Sequence, residues 1–485
     1  MTDTSSALLT DHYELTMVRA ALGSGTASRR SVFELFARRL PAGRRYGVVG
    51  GVGRALEAIE RFRFGAEEVD FLLSTQVIDE PTAQWLTDFR FSGDIWGYGE
   101  GDLYFPGSPL LSVEASFAEA VVLETLLLSI YNYDSAVASA ASRMTLMADG
   151  RPIIEMGSRR AHEKAAVAAA RAAYIAGFEA TSNLEAGRRY QVPTRGTAAH
   201  SFTLLHDSEE DAFRAQIASL GEDTTLLVDT YDIETAVRTG IELTGGRLGA
   251  IRLDSGDLVV TAKEVRALLD DVGATETQIM VTSDLDEWQI AALSGAPVNG
   301  YGVGTSVVTG SGHPTCSFVY KLVARADSDD PDGPLLPVAK RSTNKSTVGG
   351  RKYALRRRDT KGHAEAELVG IGTPPTNDGD DRPLLVHLVQ GGEVVGRETT
   401  AAARERHARA VQELPRDAYK MSRGEPCIPT LFLDEQGRLL GQTRQGRRGR
   451  KLLGHGRRLL VQADRRAFLP DQRHRRLRHR ILAAP

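Results

Sequence analysis

The segment LGAIRLDSGDLVVTAKEVRALLDDV, Leu248 to Val272, decides the fold. Residues 248–253 form a short, mostly apolar run that reads as a buried strand. Residues 258–272 place apolar side chains at helical spacing, and Asp254-Ser255-Gly256-Asp257 between them is a polar turn. The same order of strand, turn and amphipathic helix recurs between Arg151 and Thr305. Further strands are expected at residues 152–156, 224–228, 278–282 and 297–303, and further helices at 162–177, 233–244 and 287–293. Alternation of this kind implies a parallel sheet, either open or closed into a barrel.

Parallel α/β folds build their sites at the carboxyl ends of the strands, so the residues found there matter most. They are Arg159 and Arg160, then Asp229, then Arg252 and Asp254, then Ser283 and Asp284, then Gly302, Gly304 and Thr305. All are polar, charged or small. One polar residue after a strand is commonly a turn or a helix cap, but five consecutive strand ends bearing such groups point to a site. The Gly302-Val303-Gly304-Thr305 turn offers backbone N–H groups free of side-chain obstruction, as a phosphate site requires. Asp254 can accept hydrogen bonds from vicinal hydroxyls or meet a magnesium-bound pyrophosphate. The alternative is that Asp254 and Ser255 cap the helix beginning near Leu258. Arg252, two residues before Asp254, faces the same side of its strand.

Around this unit, residues 31–113 read as a compact α+β region broken by Gly50-Gly51, Gly99 to Gly101 and Pro106 to Pro109, and residues 115–148 as Ala- and Leu-rich helix bridging two domains. A Pro/Gly/Asp-rich loop at 327–332 precedes a smaller subdomain. The expected division is an N-terminal domain over 1–114, a barrel-like catalytic domain over 115–325, a C-terminal subdomain over 326–437 and a basic low-complexity tail over 438–485. At 485 residues the chain exceeds what one core usually organises. With 41% hydrophobic and 25% charged residues it falls in the globular class. The most apolar stretch, 121–131, is interrupted by Glu124 and is too short to span a membrane. The N-terminus lacks the order of a secretory signal, so a cytoplasmic location is expected. Cys316 and Cys427 are too few for a disulfide framework or a thiolate metal site, which leaves oxygen or histidine ligands for any metal. The net charge of -3 hides an asymmetry, because residues 441–485 hold 14 Lys/Arg against 2 Asp/Glu.

Five segments in order, Leu9-Thr10-Asp11-His12-Tyr13-Glu14-Leu15-Thr16-Met17, Gly157-Ser158-Arg159-Arg160-Ala161-His162, Gly196-Thr197-Ala198-Ala199-His200-Ser201, Ile251-Arg252-Leu253-Asp254-Ser255-Gly256-Asp257 and Gly302-Val303-Gly304-Thr305-Ser306, resemble nicotinate phosphoribosyltransferases. The resemblance runs from about Leu8 to about Pro429. It implies an α/β fold with an N-terminal α+β domain, an irregular (β/α) TIM-like barrel of the type II phosphoribosyltransferase kind and a small C-terminal subdomain. The implied reaction is ATP-coupled transfer of a phosphoribosyl group from phosphoribosyl pyrophosphate to nicotinate, with Mg2+ as cofactor, ATP as co-substrate and a homodimer as the working unit.

By the same resemblance, Gly304 and Thr305 hold the 5-phosphate or ribose side of the phosphoribosyl donor, and Arg159 binds its phosphates. Asp254 and Arg252 are catalytic, with Arg252 pairing with the nicotinate carboxylate or stacking on its ring. Thr197 lies beside the base, and Tyr13 offers it an aromatic face from a second subunit. His200 is the histidine that ATP phosphorylates. The chain departs from relatives in carrying Met156 where Phe often stands before Gly157, which replaces a ring with a thioether. Two rival substrates are nicotinamide, which lacks the carboxylate that Arg252 would bind, and quinolinate, which needs a second cation. A rival of another class is nucleic-acid binding through the basic tail, which contains only Phe468 as an aromatic.

Overall fold

The computed structural model describes residues 5–328, 333–340 and 347–442. Six parallel strands form a curled half-barrel. In spatial order they are Ala180–Thr181, Ile153–Glu155, Gly300–Val303, Gln278–Val281, Ala250–Leu253 and Thr225–Leu227. The first and last of the expected strands, Ile153–Glu155 and Gly300–Val303, are therefore neighbours, with Val303 opposite Glu155. Ile251, Leu253, Ile279, Val281 and Val303 are fully buried, while Arg252 and Met280 between them are only partly so, and the alternation sets one face of these strands into the core.

Helices Glu163–Ile175, Ile233–Leu243, Leu258–Asp271 and Glu287–Ala292 lie where the periodicity places them. Acidic residues stop three of them at their N-termini: Asp232 accepts from the Thr235 amide, Asp257 from Val259 and Val260, and Asp286 from Trp288 and Gln289. Each satisfies N–H groups that a helix cannot bond internally. Asp257 thus caps the helix after Ala250–Leu253, which leaves Asp254 and Ser255 for other bonds. Strand Ala180–Thr181 and helices Leu184–Tyr190, His200–Leu205 and Glu209–Leu220 lie between expected elements. A two-residue strand is too short to show a period in sequence.

A second, seven-stranded sheet takes strands from both sides of the half-barrel in sequence. Arg30–Ala37 pairs antiparallel with Leu111–Ser116 and Phe318–Ala326, and Asp94–Tyr98 pairs with Leu385–Gln390. Thus the segment assigned to the barrel lends one strand to the N-terminal layer, and that assigned to the C-terminal subdomain lends three. A five-stranded sheet holds Lys352–Arg358, Ala364–Ile371 and Thr430–Leu433, and ends on Leu439–Gln442. The first residues of the expected tail therefore form an edge strand, and residues 443–485 lie outside the described residues. No described helix is long and apolar enough to cross a membrane.

Helix Glu124–Ala148 joins the two cores: Leu126, Leu127 and Ile130 pack into one, and Val137, Ala140, Ala141 and Met144 into the other. Polar bonds complete the junction. The buried Glu100 carboxylate accepts from the amides of Gly51 (2.6 Å) and Gly53 (2.9 Å) and from both terminal nitrogens of Arg171 (2.5 and 2.7 Å), which lies on a half-barrel helix. Removing one partner of such a pair leaves a buried charge and costs about 3–5 kcal/mol. Gly101 has a φ of 85°, and a Cβ there would stand 2.4 Å from the Ala403 carbonyl, so helix Thr400–Gln412 packs directly on this turn. His407 on that helix is buried, with Nδ1 3.0 Å from the Gly101 carbonyl, and its Nδ1–H donates there.

Burial pushes the His407 imidazole down to about 4. The folded group titrates below its unfolded counterpart, so the unfolded chain takes up the proton first, and stability falls as pH drops from about 6.5 toward 4. In denaturant unfolding, the wild type is expected to lose about 2 kcal/mol more than His407→Gln between pH 7 and pH 5. Equal losses would remove His407 as the cause.

Candidate active site

The carboxyl ends of the parallel strands surround two adjoining cavities. One, of about 230 Å³, is lined by Arg159, Arg160, Arg252, Asp254, Thr282, Ser283, Asp284, Gly302, Gly304 and Thr305. The other, of about 320 Å³, is lined by Ser158, Ser182, Arg195 and Gly196 to Ala199. Met156, Arg159 and Arg252 belong to both and form their common wall. The structure thus brings together Arg159, Thr197, Arg252, Asp254, Gly304 and Thr305. Tyr13 lines neither cavity. It lies on helix His12–Gly23, 42% exposed, where burial of the hydroxyl and the carboxylates of Glu124 and Glu14 push its phenol up.

The glycine turn is shaped by its neighbours. A Cβ on Gly302 would lie 2.5 Å from the Thr282 methyl and 2.9 Å from the Met156 sulfur, so only glycine fits. Ser283 adopts φ 128°, a region side chains rarely occupy, at the cavity wall. Backbone strain at a cavity is a common mark of a binding loop. Ser283 and Asp284 were legible as a strand end, but no sequence signal foretold the strain.

Arg252 is held from one side. Its Nη1 donates to Thr197 Oγ1 at 2.8 Å, while its Nε is buried without a hydrogen-bond partner. Burial pushes its guanidinium down from the usual arginine range, against the pull of Asp254 and Asp229. A half-buried guanidinium in a cavity wall is a recognition group for an anion. Arg159 and Arg160 sit on the turn Ser158–Arg160, exposed and without an acidic partner among the described residues. The second cavity has three arginines and no carboxylate in its wall.

Asp229 is the residue whose part sequence reasoning missed. It was legible as a strand end, but a role for it was not. Its side chain is only 2% exposed. Oδ2 accepts from the Asp254 amide (2.9 Å) and from Ser255 Oγ (2.7 Å), so Ser255 serves Asp229. Oδ1 lies 3.8 Å from His200 Nε2 and has no hydrogen-bond partner. His200, at the start of helix His200–Leu205, has Nδ1 3.1 Å from Thr230 Oγ1. One buried carboxylate therefore faces the histidine and fixes the turn carrying Asp254, whose own Oδ1 accepts from Thr282 Oγ1. His200 lines neither cavity but directly follows Ala199 in the wall of the second.

No cluster of three or more His, Cys, Asp or Glu suited to a metal occurs among the described residues. Magnesium seldom needs one, because it keeps its waters and binds through one or two carboxylates plus substrate phosphates. Asp254, in the wall of the first cavity, fits that role.

A family model described as the nicotinate phosphoribosyltransferase (NAPRTase) N-terminal domain matches residues 8–132. The chain is 56% identical over 434 residues to nicotinate phosphoribosyltransferase pncB1 of Mycobacterium tuberculosis, covering 88% of this chain and 95% of that protein. It is 37% identical to nicotinate phosphoribosyltransferase of Bacillus subtilis, covering 78% of each. The fold matches a crystal structure of human nicotinic acid phosphoribosyltransferase with a TM-score of 0.75 at 24% identity, over 88% of this chain and 98% of that one. The chain belongs to the nicotinate phosphoribosyltransferase family.

Proposed function

We propose that this chain transfers the phosphoribosyl group of phosphoribosyl pyrophosphate to nicotinate, releasing nicotinate mononucleotide and pyrophosphate for NAD salvage, with ATP hydrolysis coupled through His200. The observation that carries this reading is the second cavity, whose wall holds Arg159, Arg195 and Arg252 and no carboxylate. Such a wall favours an anionic base over neutral nicotinamide. The Arg252 guanidinium, in the wall of both cavities, is a hydrogen-bond donor for the pyridine carboxylate. The names of the relatives at 56% and 37% identity point the same way.

The bond formed is pyridine nitrogen to ribose C1, and the bond broken is C1 to pyrophosphate oxygen, whose electron pair leaves with the pyrophosphate. The nitrogen is unprotonated near neutral pH, so no general base is required. The chain's residues orient the reactants and stabilise charge, which can supply most of the acceleration. Arg159, Arg160 and the amides of Gly304 and Thr305 face the donor's phosphates, and Asp254 faces its ribose hydroxyls or the metal. Magnesium, when bound, neutralises the departing pyrophosphate. Thr230 holds the His200 ring at Nδ1, and the Asp229 carboxylate, 3.8 Å from Nε2, favours positive charge on that ring.

Tyr13, 42% exposed and outside its own chain's cavities, is assigned to the base site of a second copy in a homodimer. A cytoplasmic place of work fits this substrate set. The nucleic-acid rival rests on residues outside those described.

Asp254→Asn keeps the side chain's shape and removes its charge. Its kcat for mononucleotide formation is expected to fall about hundredfold, the scale of one lost electrostatic contact in a site, and an unchanged kcat would remove Asp254 from catalysis. His200→Ala is expected to lose ATP stimulation and phosphate release while keeping ATP-independent turnover. Full ATP stimulation in that variant, followed by coupled phosphate assay, would overturn the role given to His200.

A further inference from the structure

Glu155 ends strand Ile153–Glu155 beneath both cavities, fully buried. Its Oε1 accepts from the Gly157 amide at 2.5 Å, and its Oε2 accepts from Thr181 Oγ1 at 2.5 Å. Thr181 Oγ1 in turn accepts from the Asn183 amide at 3.0 Å, and Asn183 Nδ2 donates to Ser158 Oγ at 2.9 Å. Through the backbone between Gly157 and Ser158 these bonds close into a ring. Each side chain in the ring bonds another member of it, Asn183 Oδ1 also capping helix Leu184–Tyr190 through the Ala186 amide, and none is used by the mechanism above.

The ring joins three walls. Gly157 and Ser158 begin the turn that carries Arg159 and Arg160. Gly157 also lies against the glycine turn, since a Cβ there would be 2.8 Å from the Gly304 carbonyl and 2.3 Å from Val308. Thr181 brackets the loop leading to Thr197: its amide donates to the Pro193 carbonyl (2.9 Å), and its carbonyl accepts from the Arg195 amide (2.9 Å). Glu155 and Thr181 thus link the arginine turn to the Thr197 loop.

We infer that Glu155 and Thr181 are positioning residues that fix the arginine turn of the donor cavity and the Thr197 loop of the base cavity in one mutual geometry, so that the two substrates are held as a pair. The kinetic part of this inference rests on the reading of the reaction given above. Hydrogen-bonded supports of this kind set reacting groups within fractions of an ångström, and small displacements are costly to rate.

The test is Thr181→Val, which keeps the side chain's shape and opens the ring, beside Thr181→Ser, which restores the hydroxyl. With nicotinate, phosphoribosyl pyrophosphate and magnesium, Thr181→Val is expected to raise KM for both substrates together, at least fivefold, and to lower kcat, and Thr181→Ser is expected to return each constant to within twofold of wild type. A merely structural role would lower the melting temperature and leave the constants of the folded fraction alone. Amide hydrogen exchange gives a readout independent of turnover: residues 157–160 and 194–199 should both exchange faster in Thr181→Val. Faster exchange in both loops of Thr181→Val, with no mononucleotide formed by the wild type, would retain the ring and reject the reaction. Unchanged exchange in both loops, or both KM values within twofold of wild type, would overturn the inference. Should Thr181→Val not fold, Ser158→Ala opens the ring at its partly exposed side and is judged by the same exchange criterion.

Discussion

Six strands run in one direction, and that shared polarity places every group of the site. A parallel strand delivers its carboxyl end, and whatever follows it, to one rim of the sheet. Because Ile153–Glu155 pairs with Gly300–Val303, the earliest and latest strand ends in the sequence become neighbours, and Gly157 can touch Gly304 across nearly 150 residues of chain. The apolar interior beneath the rim is what holds this arrangement. Burial of Ile251, Leu253, Ile279, Val281 and Val303 sets the register, since a one-residue slip would turn their neighbours into the core.

On that rim the balance of charge divides the labour. Arginines dominate the wall common to the two cavities, and the carboxylates are confined to the first cavity or buried behind it. Asp229 and Glu155 are both buried carboxylates, each kept in place by hydrogen bonds that include one from a turn carrying site residues. Burying such groups is costly, and here each bond aims a loop. The Glu100–Arg171 pair performs the corresponding task between the layers, holding the Gly51 and Gly53 amides against a half-barrel helix.

Much of this was legible in residue order. The run from Leu248 to Val272 shows its strand, turn and helix directly, because apolar periodicity is a local property. Five strand ends with polar or small residues located the rim. What escaped depends on distance in space. Ala180–Thr181 is too short to carry a period and is a strand only because Ile153–Glu155 lies beside it. Glu155 reads as the end of an apolar strand, and its bonds to Gly157 and Thr181 are set by the curl of the sheet. Asp229 could be seen at its strand end, but not that it would face His200. The exchange of strands between Arg30–Ala37 and Phe318–Ala326 joins parts of the chain that no local pattern connects. Tyr13 was expected beside the base, and it lines neither cavity of its own chain.

The central claim is that an arginine wall without carboxylates selects a carboxylate-bearing pyridine. It is tested most directly by steady-state mononucleotide formation from phosphoribosyl pyrophosphate and magnesium with either nicotinate or nicotinamide. The kcat/KM for nicotinate is expected to be at least a hundredfold above that for nicotinamide, the size of one well-placed, desolvated charge pair of about 3 kcal/mol. Equal use of the two bases, or preference for nicotinamide, would contradict it.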